Sequence, residues 1–196
     1  MSQGAAFGAA LAITFFHAGI GTDGNLGAAL TVTSPAVVTV FAFVFGVASG
    51  AVILALSLVT RISSATMILS GIALGAMFTG GTAIIQYFAD DIKVASIVYW
   101  TFGDLGRTGW TQIGAMAAAL AVAFVYFYRN AWNYNALANG TYTAKSLGVP
   151  VNVVLIVGML VSCLLSSLAV AFVGTIGFVG LIAPHLARRF TGSNHR

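Results

Sequence analysis

Long apolar runs separated by short polar clusters make up most of this chain. A helix needs about 20 predominantly apolar residues to cross the hydrocarbon core of a bilayer. Five runs meet that length or come close, over about residues 4–20, 35–60, 65–89, 111–128 and 151–173. The first is the shortest, and the second carries no charged residue. A sixth run, 176–187, is too short to cross unaided and is expected to break at Pro184. The polar clusters fall between the runs. Thr22-Asp23-Gly24-Asn25 reads as a turn, and Pro35 suits the first turn of the helix that follows. Asp90-Asp91 ends the third run, and Gly103, Gly106 and Gly109 punctuate a polar stretch before the fourth. Asn139-Gly140 and Gly148-Val149-Pro150 bracket a short segment before the fifth, with Val149 a helix boundary because it precedes proline. The pattern predicts an all-α, polytopic transmembrane bundle of about five full spans and one half-length helix, forming a single domain over residues 1–196.

Composition closes off the alternatives. Of 196 residues 59% are hydrophobic and only 6% charged, whereas soluble domains carry about a quarter charged residues. That excludes a soluble enzyme, a nucleic-acid-binding module and a disordered tail. The eight basic and four acidic residues give a net charge of +4, but the basic residues stand singly between apolar runs and read as a topology signal. With the N-terminus on side one, alternating spans put Arg61, Arg129, Lys145, Arg188, Arg189 and Arg196 on that side with no acidic residue. Side two receives Asp23, Asp90, Asp91, Lys93, Asp104 and Arg107. The positive-inside rule makes side one cytoplasmic, which places residue 61 and residues 129–150 and 188–196 in the cytoplasm. The single cysteine, Cys163, excludes a disulfide framework or a cysteine zinc site. Met1 to Gly4 hold no Lys or Arg, so a cleaved signal peptide is not expected.

Catalytic chemistry finds little support. No run carries Asp, Glu, Lys or Arg in its middle, which argues against a proton- or sodium-coupled carrier, although broken helices can bind ions through carbonyls. His17, His185 and His195 form no HExxH pair, and there is no G-x-S-x-G elbow. His17 reads as a helix-end or interface residue, and Asp90-Asp91 as a solvated loop. The glycines at 103, 106 and 109 follow no strand and lie on the side away from ATP, so they are not a phosphate loop. No metal, cofactor or catalytic residue is expected.

The small residues and two loops carry more information. Gly4/Gly8, Gly46/Gly50 and Gly71/Gly75 are GxxxG pairs, the spacing that lets helix backbones approach closely in lipid. Residues 129–150 exceed what a tight turn needs. Within them, 136–148 can form two short helices split near Asn139-Gly140, with Leu137, Ala144 and Leu147 as apolar contacts. Such a segment either docks a partner protein or lies on lipid headgroups. The second loop, residues 174–189, runs from a glycine-rich apolar turn into the half-length helix. Irregular backbone at membrane depth is tolerated only where protein buries it or water lines it, and broken helices often line transport routes. His185 and Arg188, three apart, share a helix face.

These blocks carry a family resemblance. Gly177-Phe178-Val179-Gly180-Leu181-Ile182-Ala183-Pro184-His185-Leu186-Ala187-Arg188, then Gly192 and Asn194-His195-Arg196, resembles the GFVGLIxPHxxR…G…HR signature of FecCD-type permeases. Residues 137–149 resemble the LxLG…AxxLGV segment of that family. Ser70 to Gly75 and Tyr99 to Leu105 resemble its AGIALG and WxxGSL blocks, and Gly4 to Ala9 its SGAAxGA block. The blocks occur in order over nearly the whole chain.

The resemblance implies the membrane subunit of an ATP-binding-cassette importer for iron-siderophores, haem or cobalamin, with a type II fold of about ten helices. It implies no enzymatic activity in this chain, since separate cytoplasmic ATPase subunits hydrolyse ATP. An extracytoplasmic binding protein delivers substrate, and a second permease copy completes the path across the plasma or inner membrane. Residues 129–150 would form the coupling segment, with Leu137, Gly140, Ala144, Leu147 and Gly148 at the ATPase. Ser63 and Ser64 would contribute to an inner gate, and Gly177, Gly180, Pro184, His185 and Arg188 form the signature at the broken helix. Thr141-Tyr142 stand where the family usually has acidic residues, so a salt bridge from these positions to the ATPase is not expected. The family pattern also implies about two further helices before Met1 and about two after Arg196. A non-transporting membrane scaffold and an ion-coupled carrier are the alternative readings.

Overall fold

The computed structural model describes residues 1–16, 35–59 and 64–191. Among them every regular element is a helix and there is no strand. Four helices are long and apolar enough to cross a membrane: α2 (Pro35–Val59), α3 (Ser64–Phe88), α5 (Trp110–Arg129) and α8 (Val151–Val173). Their bounds lie within a residue or so of the runs read from the sequence, and Pro35 opens α2 as expected. The first expected span is represented by α1 (Ser2–Phe15), 14 residues long. The remainder of that run lies outside the described residues, as does the turn at Thr22 to Asn25.

α1 occupies the centre and packs on α2, α3, α4 (Asp91–Thr101) and α8. Its sequence explains the position. Ala5, Ala6, Ala9, Ala10, Ala12 and Ile13 are all buried, so small side chains surround the helix and admit neighbours on most sides. Gly4 and Gly8 face α2, where an added Cβ would stand 2.8 Å from Ser49 Cβ and 2.5 Å from the Phe41 carbonyl oxygen. Gly46, on α2, meets α8 at Ser167, and Gly50 meets it at Cys163. Two of the three GxxxG pairs are therefore close-packing surfaces. The third is not: nothing lies within 4 Å of a Cβ at Gly71, and a Cβ at Gly75 meets only Gln3 Cγ at 4.0 Å. Phe7 fills the remaining space beside α1, against Phe45 and Phe78 with centroids 5.6 and 5.5 Å apart. α5 packs on α8.

Two expectations need correction. Asp90-Asp91, expected as a solvated loop, instead opens a helix, because residues 91–101 form the eleven-residue α4. Ser96, Ile97 and Trp100 are buried beneath it, while Val98 and Tyr99 are exposed. Asp90 precedes the helix and Asp91 lies in its first turn, where a carboxylate complements the helix dipole. Lys93 pairs with Asp90 at 3.2 Å. The half-length helix also differs. It spans α9 (Val179–Thr191) and continues through Pro184 rather than breaking there. Residues 174–178 form the irregular turn that precedes it.

Candidate functional site

The long loop before α8 folds as two short helices, α6 (Ala131–Ala138) and α7 (Thr141–Ser146). Asn130 ends α5 and begins α6, its amide donating to the Tyr126 carbonyl at 3.0 Å and accepting from Asn133 at 3.1 Å. Gly140 precedes α7 and takes the place of a cap. The end of α7 is a Schellman motif: Val149 N–H donates to the Ala144 carbonyl and Gly148 N–H to that of Lys145, both at 3.0 Å. Gly148 adopts φ 78°, the left-handed conformation this ending demands and glycine supplies at low cost. Val149 and Ala144, the pair such a motif brings together, share one apolar cluster. Pro150 then starts α8. The Leu147-Gly148-Val149-Pro150 sequence thus encodes a helix stop, a reversal and a helix start in four residues.

This unit has an inner and an outer face. Ala136, Ala144, Val149, Val151 and Val154 form a buried cluster with Tyr134, Leu137 and Leu155 packed against it. Of the three apolar residues expected to meet a partner, Ala144 is fully buried and Leu137 packs inward. Leu147 projects, 61% exposed, beside Tyr142 at 88%. The structure therefore gathers Leu137, Gly140, Ala144, Leu147 and Gly148 into one unit but divides their work. The first and third root the segment on α8, and Leu147 carries its free face.

Sequence reasoning passed over Tyr134. Its hydroxyl donates to the Val154 carbonyl at 3.3 Å, and its ring stacks at a tilt on Phe127, centroids 5.7 Å apart. The phenol lies against Gly158, where an added Cβ would collide with the hydroxyl and come within 3.2 Å of Cζ. Burial, reinforced by a hydrogen bond with Tyr126, pushes this phenol well above the usual tyrosine range. It stays a neutral donor at any physiological pH. The only sequence signal was a glycine inside the apolar run 151–173, without a GxxxG partner to draw attention to it.

At the opposite end of α8 a second junction forms. Asp104 N–H donates to the Val173 carbonyl at 2.8 Å, and the Thr175 hydroxyl donates to the Thr101 carbonyl. Gly174 (φ 88°) and Gly103 (φ 45°) pack backbone to backbone: a Cβ on Gly174 would lie 2.7 Å from the Trp100 carbonyl oxygen and 2.8 Å from Gly103 Cα. The Asp104 carboxylate accepts from Gly106 N–H at 2.8 Å and caps the 3₁₀ turn Leu105–Arg107. α4 is in this way fixed to the turn that launches α9. Beyond that turn, Gly177 and Gly180 have open space around them, Pro184 and His185 are exposed, and Arg188 lies in the same helix. Ser64 is the first residue of α3, and Ser63 lies outside the described residues, as do Gly192 and the Asn194-His195-Arg196 end of the signature. Among the described residues no three His, Cys, Asp or Glu side chains come together as a metal site.

The two clusters sit about 35 Å apart along 23-residue α8, at 1.5 Å rise per residue. An all-helical, polytopic chain with a rooted helix pair at one end and a glycine-locked turn into a half-length helix at the other has the architecture of a membrane transport domain. The model of the FecCD transport family matches residues 1–196, and the chain belongs to that family. It is 47% identical over 196 residues to an ABC transporter permease protein of Methanocaldococcus jannaschii, covering 100% of this chain and 55% of that one. It is 31% identical over 155 residues to the hemin transport system permease protein HmuU of Yersinia pestis, 79% of this chain and 46% of that one. A solved metal-chelate type ABC transporter in an inward-facing conformation superposes with a TM-score of 0.81 at 29% identity, covering 99% of this chain and 57% of its own. The fold is accordingly part of the type II importer permease fold. The chain spans about half the length of the curated relatives it matches.

Proposed function

We propose that this chain is the central part of the membrane subunit of an ATP-binding-cassette importer, moving a metal chelate or corrinoid by alternating access. An iron-siderophore is the first candidate, with haem and cobalamin behind it. The single observation that carries the reading is the free face of the 131–148 segment. Leu147 and Tyr142 are exposed on a helix pair rooted in α8, at the end of the molecule that carries Arg129 and Lys145. A large aliphatic side chain held out from a rigid base is suited to a groove in a cytoplasmic ATPase subunit. ATP binding there shifts residues 129–150, and with them α5 and α8. The substrate path then opens at Ser63 and Ser64 on one side and near Gly177, Gly180, Pro184, His185 and Arg188 on the other. The chain itself performs no covalent chemistry. An extracytoplasmic binding protein delivers the substrate in the plasma or inner membrane. A second permease copy would cover the exposed side chains of α3, among them Ile68, Leu69, Ile72 and Ile84, beside the unused Gly71/Gly75 surface.

The test is Leu147→Asp in the complete transporter reconstituted with its ATPase subunits. A carboxylate inserted into an apolar contact is strongly unfavourable unless it finds a partner. ATPase association is expected to be lost while the membrane subunit still inserts and folds. Association equal to that of the wild type would overturn the assignment of this segment.

A further inference from the structure

Between the exposed face of the 131–148 segment and the spanning helices there is one polar contact with a dedicated receptor. The Tyr134 hydroxyl reaches 20 residues along the chain to the Val154 carbonyl, the acceptor that also closes the helical turn to Gly158. Gly158 is the residue whose missing side chain makes room for it. On its other side the ring meets Phe127 in the last turns of α5. One half-buried side chain of α6 therefore touches the cytoplasmic ends of both helices that flank the segment. The aliphatic cluster beside it resists separation but is non-directional and does not fix a register. A hydrogen bond seated in a glycine notch does fix one.

We propose that Tyr134 is a positioning residue, the strut through which a displacement of the 131–148 segment is passed to α8 and α5, and that Gly158 is its receptor. The inference rests on the coupling role assigned above. It predicts a specific pattern in paired variants. Gly158→Ala places a methyl group where the hydroxyl now sits and dislodges the strut. Tyr134→Phe keeps the ring against Phe127 but removes the oxygen that collides. The double variant Gly158→Ala/Tyr134→Phe therefore reseats the ring, because the remaining approach, 3.2 Å to Cζ, is relieved by a shift of a few tenths of an ångström.

The experiment is hydrogen–deuterium exchange on the complete transporter with its ATPase subunits, with and without ATP and vanadate. It is read separately over residues 141–148 and 151–158. In the wild type both stretches respond to nucleotide. In Gly158→Ala the response over 141–148 persists and that over 151–158 is lost, and the double variant recovers it to the level of Tyr134→Phe alone. An undiminished response over 151–158 in Gly158→Ala, or a double variant no better than the single one, overturns the strut. If Gly158→Ala does not assemble, Tyr134→Phe alone serves. It assembles with its ATPase and shows a smaller response over 151–158 than the wild type, and an equal response overturns the proposal. A wild-type complex in which 141–148 ignores nucleotide overturns the coupling role and the strut with it. The Leu147→Asp association assay separates the two failures, because the strut can fail while association is intact.

Discussion

At the scale of single residues, glycine illustrates what the sequence disclosed and what it withheld. Gly4 and Gly8 announced themselves by spacing, and both are seated against the α2 backbone. Gly71 and Gly75 have the same spacing and face open space, because spacing encodes the capacity for close contact and not the partner. Gly174 gave no periodic signal at all, yet its φ of 88° and ψ of −169° and its packing on Trp100 and Gly103 leave no room for a side chain. Gly174→Ala is therefore expected to destabilise the full chain by about 1–3 kcal/mol from backbone strain alone, with a further loss from the clash. Gly71→Ala, in a helix and in open space, should be neutral or stabilising by about 0.5–1 kcal/mol. Thermal unfolding of both variants in one detergent checks the contrast, and equal effects would contradict it. Tyr134 adds a prediction in pH. Its folded-state pKa is raised above the unfolded value of about 10. Its contribution is thus intact below about pH 10 and is lost as pH rises toward the folded value. Protection over residues 151–158, corrected for the intrinsic rise of amide exchange with pH, should fall as pH is raised above about 10 in the wild type and fall less in Tyr134→Phe. Equal alkaline sensitivity in the two would contradict the assignment.

At the scale of elements, length decided legibility. Helices of 20 residues or more declare themselves by apolar content alone, and α2, α3, α5 and α8 were readable almost to the residue. α6 and α7 were readable because Asn139-Gly140 and Gly148-Val149-Pro150 punctuate them with residues of known conformational preference. α4 was not. Its eleven residues fall short of a span, and Asp90-Asp91 at its start and Gly103 after it look like the ends of a loop. Its helical signal is the placement of Ser96, Ile97 and Trp100 on one face, and a three-residue stripe emerges only once a bundle stands beneath it. Trp100 is the anchor, 5% exposed, with the Gly174 turn packed on its carbonyl. Truncating a buried tryptophan costs about 3–5 kcal/mol where the site cannot collapse, more than an eleven-residue helix can sustain alone in water. Trp100→Ala should therefore free residues 91–101 to exchange rapidly while α5 and α8 retain their protection. Uniform loss of protection throughout the chain would mean that α4 is part of the global core instead.

At the scale of the whole molecule, sparse charge gives the sequence one definite orientation to expect. With 6% charged residues, a few side chains decide the sign of each loop. α5 separates the α4 end, with Asp90, Asp91, Lys93 and Asp104, from the α6–α7 end, with Arg129 and Lys145, by about 30 Å. What remained illegible is which faces are covered. α3 and α9 present apolar and small residues without a neighbour among the described residues, and a sequence pattern cannot tell a lipid-facing stripe from one awaiting another helix. The orientation has a direct test, because the native background is quiet: Cys163 is 4% exposed in the middle of α8. Leu105 and Ser146 are both exposed and lie at opposite ends of that separation. In intact cells, Leu105→Cys should react with a membrane-impermeant maleimide at once, whereas Ser146→Cys should react only after the membrane is permeabilised. The reverse pattern would invert the topology. It would then place the 131–148 segment where no ATP-driven partner could reach it, so this labelling experiment decides between the two faces on which the coupling role depends.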